Sequence, residues 1–399
     1  MPTRVALVAS SYHPHLGGVE SHVRHVASEL RAAGTDVEVW TVDRGEHLGT
    51  TELDDIRVRH LPTPMPARSV GAMARFALAA PGAWRAWRSA QRSFRPDVLH
   101  VQCFGPNGLY AAALARRARL PLVLSSHGET FMDDHDAFGT SALLRRGLRE
   151  AISAATVTTG CSQEVLDDLR DRFGLVGGVV VPNGVGPAPE QPSGPPRRGL
   201  LGLGAGDRVV FAVGRLERMK GFDLLVDAVA ALDDPSVTLV VAGSGSQADP
   251  LAALAQSRGL GDRFRLVGPL DEAGVDAWMR DAQVVAMPSR REAFGIVALE
   301  AWRAGSPLVA TSLGGPSTFV QSGVDGLVVD PRDTATLAAA LRRVLDDRAF
   351  AASLAAAGRR SVEAFTWTRV ARDYTAIYAS AVVPPSGPSG PSGTLPSRS

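Results

Sequence analysis

Short apolar runs alternate with amphipathic stretches along most of this chain, and clusters of Gly, Pro, Asn and Ser separate them. Arg4 to Ala9 is a β-rich apolar run. Gly17-Gly18 follows, and apolar residues then recur at helical spacing from about Val19 to Ala33, with Gly34 as the stop. Val37 to Val42, Val98 to Val101, Leu122 to Ser125 and Thr156 to Thr159 read as further strands. The Ala-rich stretch Leu109 to Arg119 reads as a helix, and Ser162-Gln-Glu as a helix start. Strands alternating with helices predict a parallel sheet covered by helices on both faces.

The pattern then breaks and restarts. Pro182-Asn-Gly184 is turn chemistry, and Gly186 to Gly199 is dense in Pro, Gly and Ser, as an interdomain linker would be. Beyond it, strands are expected at Val209–Val213, Thr238–Ala242, Arg265–Val267, Val284–Met287, Leu308–Thr311 and Leu327–Val329. Helices fall between them, at Phe222–Leu232, Leu251–Arg258, Gly274–Arg280, Phe294–Arg303 and Thr334–Leu345. The fold class is therefore α/β, with two Rossmann-like doubly wound domains facing across a cleft, where ligands of such sheets bind. The expected division is 1–186, 187–364 and a terminal helix at 365–381 packing back on the body. The apolar residues of that helix recur from Ser361 to Ser380. Residues 382–399 repeat Pro-Ser-Gly and are expected to be disordered, having nothing with which to build a core.

Composition narrows the function. Lys plus Arg (42) nearly balances Asp plus Glu (41), which argues against a non-specific nucleic-acid binder or a polybasic membrane anchor. Transient contact with a bilayer stays open. Two cysteines, Cys103 and Cys161, make no disulfide framework and no metal-ligand spacing, so a reducing cytoplasm is the expected setting. No apolar run approaches the ~18 residues of a membrane span.

Every basic residue but one is Arg, in an Ala- and Arg-heavy chain of the kind a GC-rich bacterial genome encodes. The exception is Lys220, in Gly214-Arg215-Leu-Glu-Arg-Met-Lys220-Gly221, directly after the expected strand Val209–Val213. A guanidinium, an ammonium and helix-terminal N–H groups converging at such a turn suit a phosphate or diphosphate. The alternative is two ordinary surface charges. A second constellation, Glu292-Ala-Phe-Gly-Ile-Val-Ala-Leu-Glu300, follows the strand ending at Met287. Glu300 sits in an apolar stretch and must find donors, either ribose hydroxyls or a cation such as Arg303. The Phe294 and Gly295 amides stand at the helix start, and Gly295 permits close approach.

Weaker signals surround these two. Gly17-Gly18 suits a phosphate cradle or a plain tight turn. Gly243-Ser-Gly245 follows a strand and could admit a nucleotide. Glycines 202, 204 and 206 precede a strand, so they are no dinucleotide fingerprint. His127, in Ser125-Ser-His-Gly-Glu-Thr130, stands at a strand's C-terminal end, though a lone His is more often a satisfied polar residue. Pro62 to Arg92 carries Met65, Met73, Phe76, Trp84 and Trp87 beside several Arg; it could face a membrane or a bulky acceptor, or be a core-packed helix.

In this order, these pieces resemble the retaining glycosyltransferases of the GT-B fold, in the family-4-like, group 1 set that contains bacterial mannosyl-, glucosyl- and N-acetylglucosaminyltransferases. The resemblance covers about residues 3 to 380. It rests on the Gly214–Gly221 motif, the two glutamates with seven residues between them, Pro182-Asn-Gly-Val185 and Phe365-Thr-Trp367. It implies an acceptor-side first domain and a donor-side second one. The donor would be a UDP- or GDP-linked sugar as co-substrate, with no further cofactor and no metal, and the acceptor a hydroxyl. The protein would be cytoplasmic or peripheral at the inner membrane face. Arg215 and Lys220 would hold the donor diphosphate, and Glu300 the ribose hydroxyls. Glu292, with the Phe294 and Gly295 amides, would hold the transferred sugar, which His127 would touch. Gly17, Gly18, Gly214 and Gly245 would approach the donor, and Val267 to Leu270 would line the base pocket. One departure is visible: the family often has Gly-Gly-x-Pro-Glu where this chain has Gly314-Gly-Pro-Ser-Thr318.

Overall fold

The structure is a computed structural model. It describes residues 3–382 apart from 14, 16, 67–68, 134–135, 190–198, 200 and 205. The Pro-Ser-Gly tail and most of the proposed linker thus lie outside the described residues.

The first sheet has eight strands: β1 (Arg4–Ala9), β2 (Asp36–Val42), β3 (Thr50–Leu53), β4 (Ile56–Leu61), β5 (Val98–Gln102), β6 (Leu122–Ser126), β7 (Val157–Gly160) and β8 (Val179–Val180). Their order is β3-β4-β2-β1-β5-β6-β7-β8. All pairs are parallel except the β3–β4 hairpin. The second sheet runs β11-β10-β9-β12-β13-β14, all parallel. Its strands are β9 (Arg208–Val213), β10 (Val237–Ala242), β11 (Phe264–Leu266), β12 (Val284–Met287), β13 (Leu308–Thr311) and β14 (Leu327–Val329). β1, β5, β10, β12 and β13 are Val-, Leu- and Ala-rich and almost entirely buried, because helices cover both faces of each sheet.

In the N-terminal sheet these helices are α1 (Gly18–Ala32), α2 (Val70–Phe94), α3 (Pro106–Ala118), α4 (Ala137–Thr140), α5 (Ala142–Ala154) and α6 (Gln163–Phe173). Ser162 caps α6, its Oγ accepting from the Val165 N–H. The second sheet carries α7 (Phe222–Ala230), α8 (Ala248–Ser257), α9 (Glu272–Asp281), α10 (Ile296–Ala304), α11 (Thr334–Asp346) and α12 (Arg348–Ser361). The strand order reverses at β1/β5 in one sheet and at β9/β12 in the other, and the loops at these reversals face each other.

The terminal segment differs from the single expected helix. A short 3-10 turn (Val362–Ala364) and an extended Phe365-Thr366 separate α12 from α13 (Trp367–Val382). Thr366 restarts the helix, its Oγ1 accepting from the Arg369 N–H at 3.2 Å. Val185 N–H donates to Phe365 O at 3.0 Å, so the Pro182-Asn-Gly-Val185 turn is pinned where the chain crosses back. Trp367, Val370, Tyr374 and Tyr378 of α13 then join the core under β1 and α1.

Candidate active site

A cavity of about 690 Å³ opens between the sheets. The loop after β1 brings Gly17 and Gly18 to its wall, at the start of α1. The loop after β5 brings Cys103 to Pro106, and the loop after β6 brings His127 and Glu129. From the second domain come Gly214, Arg215, Lys220, Glu292, Phe294 and Gly295. Nine residues singled out from the sequence therefore share one cavity, contributed by both sheets.

Lys220 lies in a 3-10 turn (Arg218–Lys220), and Gly221, at φ 69°, starts α7 immediately after it. A Cβ at Gly221 would strike the Pro288 carbonyl, so this position needs glycine for both its dihedral and its space. Lys220 Nζ donates to Glu292 Oε2 at 2.7 Å, and Ser289 Oγ donates to the same oxygen at 2.9 Å. The ammonium keeps two further N–H donors for a ligand. Glu292 is held by the backbone: its N–H donates to Leu313 O and its carbonyl accepts from Gly315 N–H, both at 2.9 Å. Arg215 is exposed at the mouth, where Nη2 donates to Met132 O at 3.2 Å and so touches the other domain.

Gly295, at φ 94°, starts α10; a Cβ there would come 2.9 Å from Pro316 Cγ and 3.0 Å from Met287 Cε. The first amides of α10 and those of α1 thus point at the cavity from opposite domains, each at the positive end of a helix dipole. Ile296 and Val297 line the cavity, and Glu300 stands three and four residues on, extending the same face of α10 beyond the lining. It has no hydrogen-bond partner among the described residues. Burial pushes its carboxyl up to about 7, with Arg303 pulling the other way. Arg303 itself is committed to Glu272 at 2.8 Å.

His127 Nε2 lies 2.7 Å from Gln102 Oε1. A carbonyl oxygen only accepts, so Nε2 carries the proton and Nδ1 is the open acceptor. Burial lowers this ring to about 4, leaving it neutral at pH 7 and suited to a hydroxyl more than to a phosphate. His22 packs edge-on at 4.5 Å between ring centres and is likewise depressed by burial.

Three residues were not assigned roles from the sequence, Glu129 and Asn183 on this wall and Gln102 behind His127. Glu129 accepts from Phe104 N–H, Ser126 Oγ and His127 N–H, each at 2.8 Å, and so shapes the loop that presents His127. Gln102 fixes the His127 ring. Asn183 is buried at the cavity wall, in the turn that also carries part of the family resemblance. Glu129 and Asn183 sit inside motifs already noted and Gln102 at a strand end, and only the tertiary contacts distinguish them from their neighbours.

Gly245, Val267 and Leu270 do not line this cavity. The close approach that Gly245 permits at φ 155° is to the Leu216 backbone. Val267 continues the sheet, its N–H donating to Val241 O at 3.1 Å, and Leu270 packs with it on the second-domain core. Thr318 lines a separate cavity of about 330 Å³ behind Phe294, and its Oγ1 donates to Gly315 O at 2.6 Å within its own turn. Cys161 is buried with its thiol pushed up by desolvation, so it presents no reactive thiolate.

The model for "Glycosyl transferases group 1" matches residues 198–361, and that for "Glycosyltransferase Family 4" matches residues 16–188. The glycogen synthase of Mycobacterium tuberculosis is 33% identical, with 95% of each chain covered. The D-inositol 3-phosphate glycosyltransferase 1 of Catenulispora acidiphila is 31% identical, covering 92% of this chain and 91% of its own. Among solved structures, sucrose-phosphate synthase from Thermosynechococcus elongatus superposes with a TM-score of 0.79 at 24% identity, over 95% of this chain and 98% of that one. Anabaena HepE in complex with UDP and glucose superposes with a TM-score of 0.76 at 22% identity, over 95% and 100%. Both structural likenesses concern the fold.

Proposed function

Because this chain belongs to the group 1, family-4-like glycosyltransferases of the GT-B fold, we propose that it moves a hexosyl group from a UDP- or GDP-linked sugar to an acceptor hydroxyl, with retention at the anomeric carbon. The observation that carries this reading is the convergence of Lys220, Arg215, Glu292 and two helix N-termini on one interdomain cavity. The likeness to HepE, solved with UDP, supports a nucleotide diphosphate there. The acceptor class, whether glycolipid, polysaccharide end or small natural product such as an aminocyclitol, falls to the first-domain loops.

The acceptor oxygen would attack the anomeric carbon from the face the diphosphate leaves. The C–O bond to the donor breaks as the new one forms, and the departing phosphate oxygen takes the acceptor proton. Negative charge grows on that phosphate. Arg215, the free N–H groups of Lys220 and the α10 amides would stabilise it, each such donor contributing about 3 kcal/mol in the transition state. Glu300, half-buried and without a hydrogen-bond partner among the described residues, gains donors if ribose hydroxyls reach it. Neutral His127 would accept from a sugar hydroxyl through Nδ1. No protein general base is required by this scheme, and no metal.

A panel of nucleoside diphosphates and their sugars, read by thermal shift, tests the donor. One base should raise Tm selectively, since a ligand bound only by the folded chain stabilises it. With that donor, anomeric configuration of the product by NMR tests retention. An inverted product, or Tm unmoved by every nucleotide, would overturn the reading. A non-catalytic binder would shift Tm without releasing nucleotide in the presence of acceptors, and a phosphorylase would need inorganic phosphate.

A further inference from the structure

A buried polar chain joins the cavity wall to the last helix. Gln102 of β5, Ser125 of β6 and Thr159 of β7 stand side by side in register, and His100 lies two residues before Gln102. All four side chains therefore share one face of the first sheet. α13 crosses that face and lays Tyr374 and Tyr378, one helical turn apart, among Val98, Val123 and Val157. None of the six polar side chains is more than 1% exposed. Burying so many polar groups is costly unless each is hydrogen-bonded, and these bond to one another.

The proton positions follow from the partners. Tyr378 Oη has one hydrogen-bond partner among the described residues, His100 Nδ1 at 2.6 Å. A buried phenol must place its proton on an acceptor, so Tyr378 donates and Nδ1 accepts. Burial lowers the His100 ring to about 3 and keeps it neutral. Its one proton is then on Nε2, which donates to Ser125 Oγ at 2.7 Å. Ser125 is held in turn by Thr159 Oγ1 at 2.6 Å and Tyr374 Oη at 3.2 Å. His100 is thus fixed in one tautomer and one orientation.

Gln102 rests on that ring. Its Nε2 lies 3.2 Å from His100 Nε2 and 3.4 Å from Nδ1. Nearly equal reach to both nitrogens sets the amide N–H groups against the electron-rich ring, where a carbonyl oxygen would be repelled. The amide is therefore oriented with Oε1 outward, at 2.7 Å from His127 Nε2. Turned over, Gln102 would offer an N–H to His127 Nε2 and move the imidazole proton to Nδ1. A donor would then face the cavity where an acceptor now stands.

We propose that Tyr378 is a positioning residue for His127. By holding His100, and through it the Gln102 amide, its hydroxyl decides that the His127 nitrogen facing the cavity is an acceptor. The last helix of the chain so completes a site whose loops come from far earlier: Tyr378 stands 278 positions from His100. Only the kinetic consequence rests on the proposed contact between His127 and the donor sugar; the tautomer does not. A purely structural tyrosine would change stability alone. A positioning one changes the protonated nitrogen of a ring two links away.

Histidine-selective nitrogen-15 spectra of the full chain, without donor, test this. His127 should show a protonated Nε2 and an unprotonated Nδ1. Tyr378→Phe keeps the ring and removes the hydroxyl, and should draw the two His127 shifts together as tautomers exchange. Ser125→Ala, at the next link, should do the same. Ile377→Val, an apolar loss on the same helix, should lower Tm and leave the His127 shifts in place. With a donor established by thermal shift, Tyr378→Phe should lower kcat about tenfold and change donor KM less than about twofold. The inference is overturned if the parent carries the His127 proton on Nδ1, or if Tyr378→Phe and Ser125→Ala keep the parent's His127 shifts. The expected shifts in a chain that transfers no sugar would uphold this inference and refute the proposed function.

Discussion

Lys220 Nζ sits 2.7 Å from Glu292 Oε2, so the single lysine of the chain is both a candidate phosphate ligand and the counter-ion of a buried carboxylate. The two roles separate by mutation. Lys220→Ala should lower turnover by about 10²–10³-fold. It should also cost about 1–3 kcal/mol of stability, because Glu292 is left without its cation. Adding Glu292→Gln should restore Tm and leave turnover low, as calorimetry and steady-state kinetics would show. A double variant that regains turnover removes Lys220 from the phosphate site.

Two glycines, Gly18 on the cavity wall and Gly221 next to Lys220, predict opposite outcomes. A Cβ at Gly18 meets nothing within 4 Å, and the residue opens α1. Gly18→Ala should hold or slightly raise Tm, while weakening nucleotide-sugar binding if the donor approaches that backbone. Gly221→Ala, against the Pro288 carbonyl at φ 69°, should cost about 1–3 kcal/mol and disturb Lys220 with it. Parallel melts and nucleotide titrations separate the two effects.

The pH dependence of stability has two opposing parts. Burial lowers His22, His100 (to about 3) and His127 (to about 4). Below the ordinary imidazole range the unfolded chain therefore binds up to three protons that the folded chain does not, and stability is lost as pH falls. Glu300, raised to about 7, holds one proton in the folded chain that the unfolded carboxyl has released, and so favours the fold between its ordinary range and pH 7. The histidines outnumber it, so Tm should fall on acidification from pH 7 to 5, with a slope of up to about 2.7 kcal/mol per pH unit. Glu300→Gln should raise Tm at pH 8, where the wild-type carboxylate is ionised and desolvated, and change it little at pH 5.

The His127–Gln102 contact predicts a kinetic effect of orientation. Gln102→Ala should free the ring to exchange tautomers and lower turnover by about tenfold, a modest share of what such a side chain contributes to catalysis. The nitrogen-15 shifts of His127 would report the tautomer. A variant with unchanged shifts and turnover would leave Gln102 with a purely structural place.

Much of this molecule was readable from local pattern. The parallel strands bury both faces, so they appear as apolar runs, and the helices between them keep one apolar stripe. That made β1, β5, β6, β9, β10, β12 and β13 and most of the helices legible to within a few residues. The β3–β4 hairpin, β8, α4, α5 and α12 were not read. β3 and β4 are short and carry Glu52, Arg57 and Arg59, whose polarity hides their strand character until β4 pairs with β2 and Glu38 takes both arginines. The expected helix Ser361–Ser380 broke at Phe365-Thr366 because that segment pairs with the distant Val185 turn.

The sequence by itself determined the alternation of strands and helices, the restart after the Pro- and Gly-rich stretch, and which residue types could hold a diphosphate. Those properties depend on hydrogen bonding and burial within a few residues of each other. Only the tertiary structure decided that Lys220 meets Glu292, that Gly17 faces Gly295 across a cavity, that Gly245 serves the Leu216 backbone, and that half of α2 stays bare. Such pairings join residues tens to hundreds of positions apart, and they are set by how two sheets stack and dock. No periodicity along the chain encodes that arrangement.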